Sequence, residues 1–215
     1  MRTVTDQETA PARQKTRKKK REQVIDAAAR VFAERGYHGA STQDIADLLG
    51  MRQASLYYYF SSKESALEEV CAVGAAGFLE NAEEIVKQDI SPEEKLRALC
   101  VSHVTPLENK ADYVKAFLRE RKWLPTESRR RVGRLSRRIE EIFERTIRDG
   151  IREGSFRKDV KPRLAVLGLL GMLNAVPDWY DKEKQSLQEV SDTFAELALA
   201  SLRPLKAAGS LTYFL

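Results

Sequence analysis

The chain has 215 residues, 42% hydrophobic and 32% charged, enough to bury a real core as one domain or as a small module attached to a larger one. Its formal charge of +5 is uneven: residues 1–21 hold eight Lys/Arg against two Asp/Glu, so the rest of the chain sums to −1. Two cysteines, Cys71 and Cys100, form neither a disulfide framework nor a metal spacing, the basic N-terminus lacks the apolar stretch of a signal peptide, and the longest apolar run (Leu164 to Val176) is too short for a bilayer. These features predict a cytoplasmic protein with no membrane partner.

Proline and glycine are sparse and no run alternates with period two for long, so the predicted class is all-α, with about nine helices. Residues 1–16 read as a disordered basic arm, and Arg13 to Arg21 as a phosphate-seeking run leading into the first helix. That helix is predicted over about 17–35, with Val24, Ala28, Val31 and Phe32 inward and Gly36 as its stop. Thr42 is the predicted N-cap of a second helix carrying Ile45, Ala46, Leu48 and Leu49, which Gly50 ends. A third is predicted over about 52–58, anchored by Leu56 and Phe60. Ser61 with Glu64 reads as a capping box opening a fourth, about 63–87.

Further helices are predicted over 92–104 with Pro92 in the first turn, 110–123, 126–152, 162–176 ended by Pro177, and 186–202 opened by a Ser186/Glu189 capping box. The predicted domains are an N-terminal helical unit over 17–66, a larger helical unit over 67–205, and a flexible tail over 206–215.

The stretch Ser41 to Glu64 carries the most specific chemistry. Two short helices joined by a tight turn form a helix-turn-helix, in which the second helix enters the major groove of double-stranded DNA. Arg52 suits guanine and Gln53 adenine, through two hydrogen bonds each, with Ala54 and Ser55 beside them on the same turn. Tyr57, Tyr58 and Tyr59 can bond phosphates and set their rings on sugars or thymine methyls, with Tyr57 or Tyr59 packed partly inside. Thr42 and Gln43 at a helix N-terminus, Lys63 at the flank and Lys18 in the basic run complete the DNA-binding set.

Phe32-Ala-Glu-Arg-Gly-Tyr37, Ser41-Thr-Gln-Asp-Ile-Ala46, Leu56-Tyr57 and Phe60-Ser-Ser-Lys-Glu64 resemble the N-terminal domain of the tetracycline-repressor (TetR) family of bacterial regulators. The resemblance covers about residues 18–66. Ala54 stands where the family often has glycine, and Tyr59 where it often has histidine, which leaves the operator sequence open. The resemblance implies a homodimer on a palindromic operator and a small effector bound after about residue 66.

In that second unit, the apolar helix Leu164 to Val176 must be covered on all sides. With the following helix it predicts a four-helix dimer interface through Leu164, Leu167, Gly168, Gly171, Phe194, Leu197, Ala198 and Leu202. Ligand candidates are His103, Phe117, Arg119, Glu120, Trp123, Asn174, Trp179 and Tyr180, polar or aromatic groups set among apolar ones. Arginines 129, 130, 131, 134, 137 and 138 crowd one segment, and Arg130 and Arg134 could line a mouth for phosphates. An apolar pocket with such a mouth suits an acyl-CoA. Phe117-Leu-Arg-Glu120, Asn174 and Trp179-Tyr180 are similar to effector domains of the family's regulators of fatty-acid breakdown, and a drug-like hydrophobic toxin is the alternative effector.

No nucleophile–base set, phosphate loop, cofactor motif or metal spacing appears, so an enzyme is not expected. The expected protein is a ligand-responsive repressor, with an activator of the same family as the variant reading.

Overall fold

The computed structural model describes residues 9–204. Among them are nine α-helices and no strand: α1 (Thr9–Gly39), α2 (Thr42–Leu48), α3 (Gln53–Leu56), α4 (Lys63–Val86), α5 (Pro92–Val104), α6 (Ala111–Glu120), α7 (Thr126–Glu153), α8 (Pro162–Trp179) and α9 (Leu187–Leu202). Short 3-10 turns follow α5, α6 and α8. None of these helices is long and apolar enough to cross a membrane.

Two compact units form. The first joins the chain up to Ala76 with Asn109–Arg134, and the second joins Gly77–Glu108 with the chain from Leu135 onward. A single division near residue 66 was expected. It fails because α6 packs along α1, which draws a segment from the middle of the chain into the reader unit.

In the first unit, α1 begins at Thr9 rather than near Arg17, so residues 9–16 of the expected disordered arm are helical. Ala, Gln, Lys and Arg dominate that stretch and are good helix formers, and Pro11 falls in the first turn, where its missing N–H costs no bond. Residues 1–8 and the predicted tail lie outside the described residues. The amphipathic part of α1 starts at Val24: Val24, Ile25, Ala28, Val31 and Phe32 are buried, whereas Lys15 and Arg17 to Lys19 are exposed. Gly36 breaks the helical path at φ 67°, a left-handed conformation that glycine adopts without Cβ strain.

In the second unit, α5 packs against α9 and α8. Leu96, Leu99, Cys100, Phe143, Ile147, Leu173 and Leu199 are fully buried. Ser91 and Glu94 form a capping box ahead of Pro92, a start signal stronger than the proline alone. The Ser186/Glu189 box opens α9 as predicted. Pro177 does not end α8, which continues to Trp179. A proline this close to the C-terminus forfeits one backbone bond, and the Tyr180 N–H still reaches the Val176 carbonyl to close the last turn.

Candidate functional site

The helix-turn-helix is built from α2, the turn at Gly50 (φ 60°) and α3. Ser41, not Thr42, is the N-cap of α2. Its Oγ accepts from the Asp44 N–H while the Asp44 carboxylate takes the Ser41 N–H at 2.8 Å. The Ser41 hydroxyl and N–H, with the Arg35 guanidinium beyond them, hold the Asp44 carboxyl below its usual range. Ile45 and Ala46 face inward, but Leu48 is 44% exposed.

The α-helical part of α3 is shorter than predicted. It spans four residues and continues as turns through Tyr59, with Tyr59 N–H bonded to the Leu56 carbonyl at 2.8 Å. Leu56 and Phe60 are the buried anchors. With those two fixed inward, helical geometry leaves Arg52, Ala54, Ser55, Tyr57 and Tyr58 exposed. Tyr58 is the most open of the aromatics at 67%, and Tyr59 is the half-buried one. The Arg17 guanidinium lies 5.3 Å from the Tyr58 ring centroid, so the basic N-terminal turns of α1 meet the reader. Lys18 is exposed on the same turn of α1.

Three expected DNA contacts are engaged within the protein. Gln53 Nε2 donates to Thr42 Oγ1 at 2.7 Å, bracing α3 on α2, and the Thr42 hydroxyl keeps its own proton to donate. Gln43 bonds Asp47 at 2.6 Å, along α2. Lys63 was expected to meet a phosphate. Its ammonium instead donates to the carbonyls of Tyr37 (2.9 Å) and Ala40 (3.0 Å) and sits 4.3 Å over the Tyr37 ring. The predicted Ser61/Glu64 box is replaced by Ser62 and Ser65, because Glu64 is taken by the Tyr37 hydroxyl. That bond is the main reason the Tyr37 phenol is pushed up to about 12 and the Glu64 carboxyl is lowered.

The ten ligand candidates fall on both units. Phe117, Arg119, Glu120, Trp123, Arg130 and Arg134 belong to the reader unit, and His103, Asn174, Trp179 and Tyr180 to the other. Glu120 accepts the Tyr37 N–H at 2.8 Å, and Trp123 packs edge-on against His38 with centroids 4.3 Å apart. Arg130 pairs with Glu127 along its own helix. Arg131 and Arg138 reach Glu68 and Glu83 on α4, while Arg134 is exposed with no ion-pair partner among the described residues.

In the second unit, His103 Nε2 lies 2.9 Å from Asn174 Oδ1. A carboxamide oxygen only accepts, so the imidazole carries its proton on Nε2. The ring stacks on Phe78 at 4.7 Å and meets Phe143 edge-on at 6.2 Å. Burial pushes the His103 pKa down, against the smaller upward pull of Asn174. The result is a neutral polar pair inside an aromatic box, the kind of group that orients a ligand in an apolar site. Cys71 and Cys100 are both buried, with thiols pushed up to about 12, so neither is set up for thiolate chemistry.

On α8 and α9, Leu164, Leu167, Gly168, Gly171 and Leu197 are exposed, and Leu164, Gly168 and Leu197 line one groove. Ala198 lines the same groove at its floor, whereas Leu202, also expected at the interface, is buried within the protomer where α9 packs on α5. Phe194 is half-buried against Trp179 of its own chain.

A family model described as "Bacterial regulatory proteins, tetR family" matches residues 24–70, and one described as "Tetracyclin repressor-like, C-terminal domain" matches residues 89–202. The fatty acid metabolism regulator protein of Bacillus subtilis (strain 168) is 26% identical over 190 residues, covering 87% of this chain and 98% of that protein. The transcriptional repressor KstR2 of Rhodococcus jostii (strain RHA1) is 30% identical over 166 residues, covering 75% and 79%. Among solved structures, FadR from Bacillus subtilis in complex with stearoyl-CoA superposes with a TM-score of 0.70 at 26% identity, covering 83% of this chain and 97% of that one. These relatives are transcriptional regulators. With the reader helix, its buried anchors and two family matches in place, one of them over more than half of the sequence, the chain belongs to the TetR family of bacterial transcriptional regulators.

Proposed function

We propose that the protein is a cytoplasmic homodimeric repressor that binds a palindromic operator and is released from it by a long-chain acyl-CoA. The observation that carries the DNA half is the outward row Arg52, Ser55, Tyr57 and Tyr58, held by Leu56 and Phe60 beneath it. In this reading Arg52 contacts a base, and Thr42, Tyr57, Tyr58 and Lys18 contact phosphates. The bare groove of Leu164, Gly168 and Leu197 pairs with its copy, which sets two readers on one duplex.

The effector half rests on similarity to a regulator solved with stearoyl-CoA, and on the aromatic box around His103 and Asn174. The acyl chain of the effector would enter that box. The ligand acts only through a higher affinity for the conformer that does not fit DNA. Helix α4 supplies residues to both units, which gives a continuous path for the change.

The test is fluorescence anisotropy on tiled duplexes from the protein's own promoter region, at stated salt. One duplex should bind far more tightly than its scrambled counterpart. Stearoyl-CoA should release it, while free CoA and stearate should not. Release by hydrophobic drugs alone would favour the toxin-sensing alternative, tighter binding on addition of stearoyl-CoA would point to an activator, and the absence of any preferred duplex would overturn the proposal.

A further inference from the structure

The connector from Gly36 to Ala40 sets the direction in which α2 and α3 leave α1, and Tyr37 sits at its centre. Every polar atom of Tyr37 is engaged. Its N–H donates to Glu120 Oε2 at 2.8 Å, its hydroxyl donates to Glu64, and its carbonyl accepts from Lys63 at 2.9 Å. Lys63 and Glu64 open α4, but Glu120 is the last residue of α6. The left-handed turn at Gly36 leaves that side of the connector bare, and the Glu120 carboxylate closes over it, 3.6 Å from where a Cβ would stand.

Helix α6 is itself pressed on α4 within the same unit. A Cβ added at Gly74 would lie 3.1 Å from the Tyr113 carbonyl oxygen and 3.3 Å from Phe117 Cβ. Glu120 follows Phe117 by one helical turn, so a shift of α6 against Gly74 carries the carboxylate with it. The tie to the connector is short, directional and charge-assisted, whereas the α6–α4 contact is non-directional packing.

We propose that Glu120 is a positioning residue for DNA recognition. It ties α6 directly to the α1–α2 connector, so that whatever displaces α6 re-aims the reader helix without acting through a tilt of α4. The proposal rests on the reading above that α3 binds the operator, and it moves Glu120 from the expected ligand contacts to the DNA-binding apparatus. A buried brace without this role would affect folding stability and leave discrimination between duplexes alone.

The experiment compares the full-length wild type with Glu120→Ala, Glu120→Gln and Gly74→Ala on the preferred duplex and on a scrambled one, alongside amide hydrogen exchange. Loss of the charge-assisted bond in Glu120→Ala should weaken operator binding about tenfold. Binding to the scrambled duplex should stay level or rise, because a negative charge has been removed. Glu120→Gln keeps an acceptor and should recover most of the affinity. Exchange at Tyr37 to Ala40 should quicken in Glu120→Ala, with α9 unchanged. Gly74→Ala should weaken operator binding in the wild-type background and add little in the Glu120→Ala background, as expected for two changes on one route. Wild-type operator affinity in Glu120→Ala, equal losses on both duplexes, or unchanged exchange at the connector would each overturn the proposal. A wild type that prefers no duplex would sink the operator reading instead, and the exchange measurement would still decide whether Glu120 holds the connector.

Discussion

Both units have apolar cores, but the polar contacts that join their elements differ. In the reader unit, separate elements are joined by directional polar contacts: Tyr113 to Asp26 at 2.7 Å, Ser128 and Arg131 to Glu68 at 2.6 Å, and Glu120 to Tyr37 at 2.8 Å. In the other unit the elements meet through hydrocarbon, with His103 and Asn174 as an internal polar pair and ion pairs such as Arg97–Glu196 and Arg203–Glu93 at more open positions. Apolar packing supplies bulk stability but little directionality. A charge-assisted hydrogen bond fixes an angle and is worth about 1.5–3 kcal/mol, close to a typical allosteric coupling. The reader is therefore aimed by contacts weak enough to be re-set, while the second unit resists change.

The largest effect should come from the exposed face of that resistant unit. Leu167 is 48% and Leu197 53% exposed, and in a dimer both would be covered. Leu167→Glu with Leu197→Glu would place unpaired carboxylates in the interface at a cost on the order of 5 kcal/mol. Sedimentation should then show monomers at micromolar concentration, with operator binding lost. A stable dimer from the double variant would mean that the chains pair through another face.

Next comes the interior of the same unit. A Cβ at Gly150 would stand 2.2 Å from Phe156 Cδ2 and 2.4 Å from its Cε2, with the ring 1% exposed and closed in. Gly150→Ala should cost about 3 kcal/mol by overpacking in urea denaturation, and Phe156→Leu should recover part of it. Tyr113→Phe in the reader unit removes one hydrogen bond and should cost about 1 kcal/mol. If these two costs were reversed, the contrast between the units would fail.

That contrast was only partly legible in the sequence. Helix limits set by local chemistry could be read: the Ser186/Glu189 box, Pro92 and the stops at Gly36 and Gly50 announce themselves within four residues. The reader could be read for the same reason, since Leu56 and Phe60 fix which side faces out. Partners far apart in sequence could not. Nothing near Lys63 says that two carbonyls more than twenty residues back will hold its ammonium, and nothing near Arg131 points to Glu68. Helix α9 misled in another way. It has apolar residues on several sides, so period alone could not say that Leu202 turns inward while Leu197 turns out.

A smaller effect tests the aim of the reader. Arg52 is exposed at the N-cap of α3, so Arg52→Ala should leave folding intact and weaken operator binding by about 1–3 kcal/mol, with specificity relaxed at one base pair. A uniform loss on every duplex would reassign Arg52 to phosphate.

The smallest effect is a pH dependence, and it returns to the polar pair inside the apolar unit. Burial lowers the His103 pKa below its ordinary value of 6.5, so the folded chain holds this imidazole neutral where the unfolded chain begins to protonate it. The unfolded state then binds more protons, and stability rises with pH across that interval. The stabilisation is complete above the unfolded pKa and is lost as pH falls from about 7 towards the depressed folded value. Protonation would also add a charge between Phe78 and Phe143, although Asn174 can still accept from Nε2. Denaturation midpoints should therefore fall between pH 7 and pH 5 in the wild type, and this component should vanish in His103→Gln. That variant keeps an amide donor for Asn174, so a slope persisting in it would assign the pH dependence to carboxylates such as Glu64, whose lowered pKa acts at more acidic pH. Stearoyl-CoA binding gives the second reading of the same experiment. If the neutral pair orients the ligand, affinity and stability should decline together over this interval; if only stability declines, the pair is core and the ligand is held elsewhere.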